Sequence, residues 1–411
     1  MSQLIHRVVT KTVDGVKCEW QHVCRLRQHL LPSFRQGKGD IMRNFKKTAI
    51  AVLSAALVVS QALNTFAFYQ TPESKKGLLI SQQEMFSDIQ ELGVKQVVCN
   101  LSTAQSVDSF QTLARNCRRN NITLTMILIN SPNARNKSLL PVSSLVDGVG
   151  CYAFNTLTSE GEQAVRSYAR EVASYYANTV SNWVIGNEVN DGHSWDYNGI
   201  TDINEHAASY AKAFRIFYEE IKNANPEARV YIPFDMRWKA DAGDPLTYTV
   251  SDYLPKLNEL LKDTDYGIAW HAYPVHFFTK PEFMDDDGIS EDPNTTPNIN
   301  MKNLHVLTDY LQRSEMLTQG GAVRRVILTE QGFTSACENG EERQAAAIAE
   351  AYNIAKANPY VDGFYLSRQV DAQSQVAAGG AFGLWTRNES ASRDEMPQSK
   401  KKAWYTYQSL N

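Results

Sequence analysis

Two glutamates close short apolar runs that lie far apart in the chain. Glu188 ends SNWVIGNE within residues 181–191, with Asn187 directly before it, and Glu330 stands in RRVILTEQGF, residues 324–333. A charge at the end of a stretch that otherwise reads as core needs a partner or a task. Two carboxylates brought face to face suit glycoside cleavage. One donates a proton to the leaving oxygen while the other attacks the anomeric carbon or activates water. The pair then needs unequal surroundings, so that one acid keeps its proton near neutral pH and the other is ionised. Asn187 supplies an amide able to bind a sugar 2-hydroxyl, a contact that strengthens in an oxocarbenium-like transition state. The plain alternative is that each glutamate only pairs with an arginine.

The elements that must position these acids alternate strictly. Short β-rich runs occur at 77–81, 94–102, 122–130, 181–188, 229–235, 266–274, 324–333 and 361–367. Helical patterns follow them from 82 onward and near 108–120, 159–177, 202–224, 249–262, 300–314, 341–357 and 398–409, the third capped by Ser159-Glu160-Gly161-Glu162. Strand–helix alternation implies parallel strands with crossover helices. Eight repeats predict a single-domain (β/α)8 TIM barrel over 77–411. A doubly wound open sheet is the alternative, but no glycine-rich phosphate loop follows the first strand. The longest connections, 131–158, 189–201, 274–299 and 368–397, all follow strands, at the end where such barrels carry their sites. Glu188 then caps the fourth strand and Glu330 the seventh, across one mouth. Period-two alternation predicts Val326, Leu328 and Glu330 on one side of their strand.

This pattern resembles the clan A glycoside hydrolases, retaining (β/α)8 enzymes in which Asn-Glu ends strand four and a second Glu ends strand seven. The residues that carry the resemblance are IGNE (185–188) and TEQG (329–332), within roughly 77–411. The resemblance implies Glu188 as acid/base, Asn187 as its substrate-binding neighbour and Glu330 as nucleophile. WHAYP (270–274) is similar to the clan's strand six, which implies that His271 or Tyr273 contacts the nucleophile. It also implies a β-linked oligo- or polysaccharide substrate, cleaved without a cofactor. Two positions depart from the clan. Its members usually end strand eight with a tryptophan, where this chain reads FYLSRQVD, and many carry an arginine near the end of strand two, where Asn100 and Ser102 stand. Trp385 is a substitute for the missing platform. The departures leave a second reading open, a glycoside-hydrolase-like barrel that binds carbohydrate without cleaving it.

Other polar groups compete for the site. FDMRW (234–238) ends strand five with Asp235, Arg237 and Trp238, either a polar clamp with a stacking ring for a sugar or a structural ion pair. Arg368 and Asp371 after strand eight pose the same choice. A metal-dependent hydrolase using His193, His271 and His276 is a further rival, but the spacing matches no helical ligand motif and no metal is expected. Asp285-Asp286-Asp287-Gly288 lacks the alternate ligands of a calcium loop and reads as solvated.

Composition bounds the rest. The 411 residues are 43% apolar and 21% charged, enough for a sizeable core. The formal net charge is −4, but residues 1–67 hold ten Lys/Arg and three Asp/Glu, leaving 31 and 42 in the remainder. An acidic body without a basic patch argues against nucleic acid as a partner. From Met42 the chain has a basic start, an eleven-residue apolar run from Ala49 to Val59, and small residues before a cut after Ala67. That is the layout of a signal peptide over 42–67, with a linker at 68–76, and the run is too short to span a bilayer. It implies a secreted or cell-surface protein, an uncleaved membrane anchor being the alternative. Residues 1–41 read as a disordered upstream extension, with Met42 as the true start and Gly37-Lys38-Gly39-Asp40 encodable by the purine-rich codons of a ribosome-binding site. Cys18 and Cys24 precede the signal segment. Of the other four cysteines, Cys151 and Cys337 fall in loops and form the more plausible disulfide, with unpaired thiols as the alternative.

Overall fold

The computed structural model describes residues 72–411. The expected extension, the signal segment and the start of the linker lie outside them. Eight parallel strands close into a barrel: β1 (Lys76–Leu79), β2 (Gln96–Ser102), β3 (Thr123–Ile129), β4 (Asn182–Ile185), β5 (Arg229–Phe234), β6 (Gly267–His271), β7 (Val326–Gln331) and β8 (Val361–Leu366). Closure is direct, since β1 pairs in parallel with both β2 and β8. It excludes the doubly wound sheet. Helices α1 (Phe86–Glu91), α2 (Gln111–Arg119), α3 (Ser159–Tyr176), α4 (Ile203–Ala224), α5 (Val250–Leu261), α6 (Leu304–Tyr310) and α7 (Gly340–Ala357) follow the first seven strands. After β8 come a short α8 (Gln373–Ala377), a hairpin of β9 (Trp385–Arg387) and β10 (Pro397–Lys400), and α9 (Lys402–Ser409).

The apolar part of the barrel interior takes one side chain from each strand, Leu79, Val98, Ile127, Val184, Tyr231, Ala269, Ile327 and Tyr365, and Gln96, Thr125 and, through Thr125, Asn182 are linked by hydrogen bonds to the Tyr365 hydroxyl. Glycines make room for its two rings. A Cβ on Gly77 would stand 2.7 Å from the Tyr365 ring, and one on Gly267 would stand 2.5 Å from Tyr231. Alternate residues such as Trp183, Ile185, Val326 and Leu328 point the other way and join the larger core under the helices. Parallel strands buried on both faces therefore read as continuous apolar runs.

Helix starts follow ordinary capping chemistry. Asp202 begins α4 by accepting hydrogen bonds from the Asn204 and Glu205 amides at 2.9 and 3.0 Å. The cap of α3 is Thr158, whose hydroxyl accepts from the Gly161 amide at 3.0 Å, one residue earlier than the sequence suggested. Among the described residues no helix is long and apolar enough to cross a membrane.

Candidate active site

The loops at the C-terminal ends of the strands enclose a cavity of about 640 Å³. Glu188, Glu330, Asn187, His271, Tyr273, Asp235, Arg237, Asn100 and Arg368 all line it. The two carboxylates meet at one imidazole. His271 Nδ1 is 2.8 Å from Glu188 Oε1 and 4.0 Å from Glu330 Oε2. These contacts limit the gap between the two carboxylate oxygens to about 6.8 Å, their sum. Tyr273 donates its hydroxyl to Glu330 Oε2 at 3.4 Å.

Neither glutamate arrives by the route the alternation implied. Strand β4 ends at Ile185, and Glu188 lies three residues beyond it with φ at +38°, after Gly186 at +87°. A non-glycine residue in that region carries backbone strain of about 1–3 kcal/mol. The turn is held from several sides. The Asp191 amide donates to the Glu188 carbonyl at 2.7 Å, and the Val189 amide donates to Pro233 of β5 at 3.0 Å. Asn190, fully buried, donates to Asp235 Oδ1 at 2.8 Å and accepts from the Asp235 amide at 3.1 Å.

Glu330 enters the mouth through a bulge. Val326 and Leu328 pack outward under the helices, so strict alternation would send Glu330 outward with them. The adjacent residues Trp270 and His271 of β6, however, pair with Leu328 and Glu330, two apart on β7. Thr329 is the extra residue, and it reverses the parity of the strand. Bulge and left-handed turn together bring both acids to one cavity.

Their electrostatics differ. Burial pushes the Glu188 carboxyl above its ordinary range, opposed by the hydrogen bond and charge of His271 and reinforced by Asp235 and Glu330. For His271 burial acts downward, but Glu330, Glu188 and Asp235 outweigh it and raise the imidazole. Arg237 reaches Asp191 at 2.7 Å and also grips Asp235, so it serves as a clamp between the loops after β4 and β5. Oxygens of Glu188, Asp191 and Asp235 lie within 4.8 Å of one another. Arg237 faces two of these acids and no cation is required there.

Two expected substrate platforms lie elsewhere. Trp238 is 1% exposed, donates Nε1 to the Pro293 carbonyl at 2.8 Å and packs edge-on against Tyr310, so it belongs to the core. Trp385 donates to Asp88 at 3.2 Å under the Lys400 ammonium, away from the cavity. The rival metal set is not assembled either, because His193 pairs with Asp244 at 2.8 Å and His276 with Asp287 at 3.3 Å. Asp371 is held by Lys401 at 2.8 Å and by the Gly383 amide at 2.7 Å, as structure. Asp286 is buried, not solvated: it accepts from Val275 N at 2.8 Å and from Asn300 at 3.0 Å, which ties down the loop after β6. Cys99, Cys117, Cys151 and Cys337 are all free thiols, and Cys151 lines the cavity, so the disulfide gives way to its alternative.

The aromatic wall comes from the loops after β4, where the choice for Trp195 and its neighbours lay between a wall of the cleft and plain solvation, and after β6. Trp195, 38% exposed, lies over Gly150, where a Cβ would come within 2.5 Å of the indole. Phe277 packs on Tyr273 at 4.8 Å between ring centroids, and Phe278 packs on Phe277 at 4.3 Å. The pair Phe277-Phe278, shortly after WHAYP, was the available hint for the second loop, since an apolar pair in a loop after a barrel strand is costly unless it lines a site. Gln375 of α8 also lines the cavity and had no legible signal.

The fold and cleft define a (β/α)8 barrel with two carboxylates at the C-terminal mouth. The chain belongs to a family of unknown function (DUF5722), whose model matches residues 102–411. No curated protein matches it. Its fold is similar to that of a β-glucosidase from Pyrococcus furiosus, at TM-score 0.52 and 14% identity over 79% of this chain and 82% of that one. A β-glucosidase from Thermotoga maritima in complex with deoxynojirimycin gives 0.51 and 14%, over 80% and 86%. A calcium-binding mutant of β-glucuronidase 2 from Bacteroides uniformis gives 0.51 and 13%, over 82% of this chain and 34% of that one. These likenesses establish the barrel fold.

Proposed function

We propose that the protein is an exported glycoside hydrolase that cleaves a β-linked oligo- or polysaccharide with retention of configuration. The observation that carries this reading is the meeting of Glu188 and Glu330 at His271 Nδ1, at 2.8 and 4.0 Å. Glu330 attacks the anomeric carbon while Glu188 gives its proton to the glycosidic oxygen, and the aglycone leaves as an alcohol. Glu188, now ionised, takes a proton from water, whose oxygen displaces Glu330 and restores both groups. The upward push on Glu188 suits the acid of the first step. The oxygen gap, at most about 6.8 Å, supports the close spacing of retaining enzymes, ~5–5.5 Å, over most of the inverting range of ~6.5–9.5 Å. Asn187 fits the sugar 2-hydroxyl, and no step calls for a cofactor.

The departures at strands two and eight favour the second reading, a barrel that binds carbohydrate without cleaving it. Incubating the mature protein with a glycan panel, beside Glu188→Gln and Glu330→Gln, separates the two. A hydrolase loses turnover in both variants but keeps sugar affinity. Absence of hydrolysis in the unmodified protein, with sugar binding retained, contradicts the enzymatic reading. Export is tested by N-terminal sequencing of the secreted protein, which should begin near Phe68; retention of residues before Met42 would refute the assigned start.

A further inference from the structure

The cations of the cleft are not equally engaged. Arg237 uses Nε and Nη2 on Asp235 and Asp191, and His271 uses Nδ1 on Glu188. Arg368 stands at the end of β8, beside Tyr273, whose hydroxyl meets Glu330. Its Nη1 donates to Glu395. Among the described residues its buried Nε has no hydrogen-bond partner, and Nη1 is the atom of its guanidinium that does, with Nη2 donating to none of them. Nε and Nη2 form the side edge of the guanidinium, two parallel N–H groups whose spacing matches the two oxygens of a carboxylate. Gln375 Oε1, in the same cavity, is likewise buried without a partner. Buried polar atoms are normally satisfied, and three left open in one cleft, His271 Nε2 being the third, call for an explanation.

We propose that the cleft accepts a sugar bearing an anionic group, a uronic-acid carboxylate or a sulfate ester, with Arg368 as the specificity-determining residue. The inference rests on the glycosidase reading of the same cleft and names its substrate class. An anion on the open side edge completes the Arg368 hydrogen bonding while Glu395 keeps Nη1 in place. Gln375 Oε1 accepts from a neighbouring sugar hydroxyl. The position lies on the nucleophile side, through Tyr273, so the anionic group belongs to the sugar that Glu330 attacks or to one adjoining it. The planar edge favours the carboxylate over the sulfate.

Calorimetric titration of the mature protein carrying Glu330→Gln, which binds without turnover, tests this. The probes are β-linked mannuronate oligomers and glucuronosyl xylo-oligosaccharides, then sulfated carrageenan oligomers, then neutral cello- and xylo-oligosaccharides. Adding Arg368→Gln should weaken the preferred anionic probe about 10- to 100-fold relative to the neutral ones. Arg368→Lys keeps the charge without the fork and should recover part of that loss. Glu395→Gln keeps an acceptor for Nη1 but removes a negative charge beside the site, and so should tighten the anionic probe, a change opposite in sign that misfolding does not mimic. Loss confined to carrageenan oligomers supports the site and assigns it to sulfate. Equal weakening of neutral and anionic probes, or a preference for neutral ones that Arg368→Gln leaves alone, overturns the proposal. Hydrolysis of neutral glycans without retention of anionic ones sinks this inference and leaves the glycosidase reading standing. Arg368-dependent anion binding without hydrolysis by the unmodified protein does the reverse.

Discussion

Replacing His271 by phenylalanine should move the alkaline limb of the pH profile upward. Nε2 has no hydrogen-bond partner among the described residues, so the substitution removes one hydrogen bond, the 2.8 Å bond from Nδ1 to Glu188, together with the imidazole charge 4.0 Å from Glu330. Burial raises the Glu188 carboxyl while the His271 hydrogen bond and charge hold it down. Removing the restraint lets the carboxyl rise further, so Glu188 keeps its proton to higher pH. A cation in hydrogen-bonding contact depresses a carboxyl by about one to three pH units. The limb of kcat/KM, which reports the free enzyme, should therefore move up by about one to two. The assay is kcat/KM from pH 4 to 10 on a glycoside with a poor leaving group, where proton donation matters. A good leaving group should show a weaker effect. An unmoved limb, or one that moves down, would refute the assignment of Glu188 as the acid and of His271 as its restraint.

Three further outcomes follow from the same geometry. Trp238→Ala should cost about 3–5 kcal/mol in urea unfolding because it empties a core position, whereas Trp195→Ala should leave unfolding nearly unchanged and raise KM about three- to tenfold. The mature chain, denatured without reductant, should titrate four thiols; two would restore the disulfide. His206 is held neutral, pushed down to about 4 by burial, with Tyr253 at 2.8 Å and the Asp196 carbonyl at 3.2 Å as neighbours. The unfolded chain binds that proton near pH 6.5, so stability should fall from there toward pH 4, by roughly 3 kcal/mol, and then level off. His206→Gln should flatten the slope; a slope left unchanged would assign it to other groups.

The barrel was legible because parallel strands buried on both faces leave unbroken apolar runs, and each run is separated from the next by a helix. The placement of the acids at strands four and seven was legible for the same reason. Their orientation was not. Thr329 reverses the parity of β7 only through its register with β6, and that register is a property of two strands. Glu188 in a left-handed turn depends on Asn190 and Asp235, 45 residues apart. Trp238 misled because an aromatic ring just past a strand reads the same whether it turns into the cleft or, as here, beneath the loop that carries Pro293. Trp385 was assigned by need rather than by pattern, and its partner Asp88 sits on α1 at the other end of the chain. Long-range pairings of this kind leave no local periodicity.

The most direct test is to trap the intermediate. A 2-deoxy-2-fluoro glycoside of the sugar that the panel selects, with an activated leaving group, should inactivate the protein with one sugar attached. Peptide mass spectrometry should then locate the label on Glu330, within VILTEQG, and Glu330→Gln should take up none. A label on another residue, or steady turnover of the selected glycan with inversion at the anomeric carbon, would contradict the account.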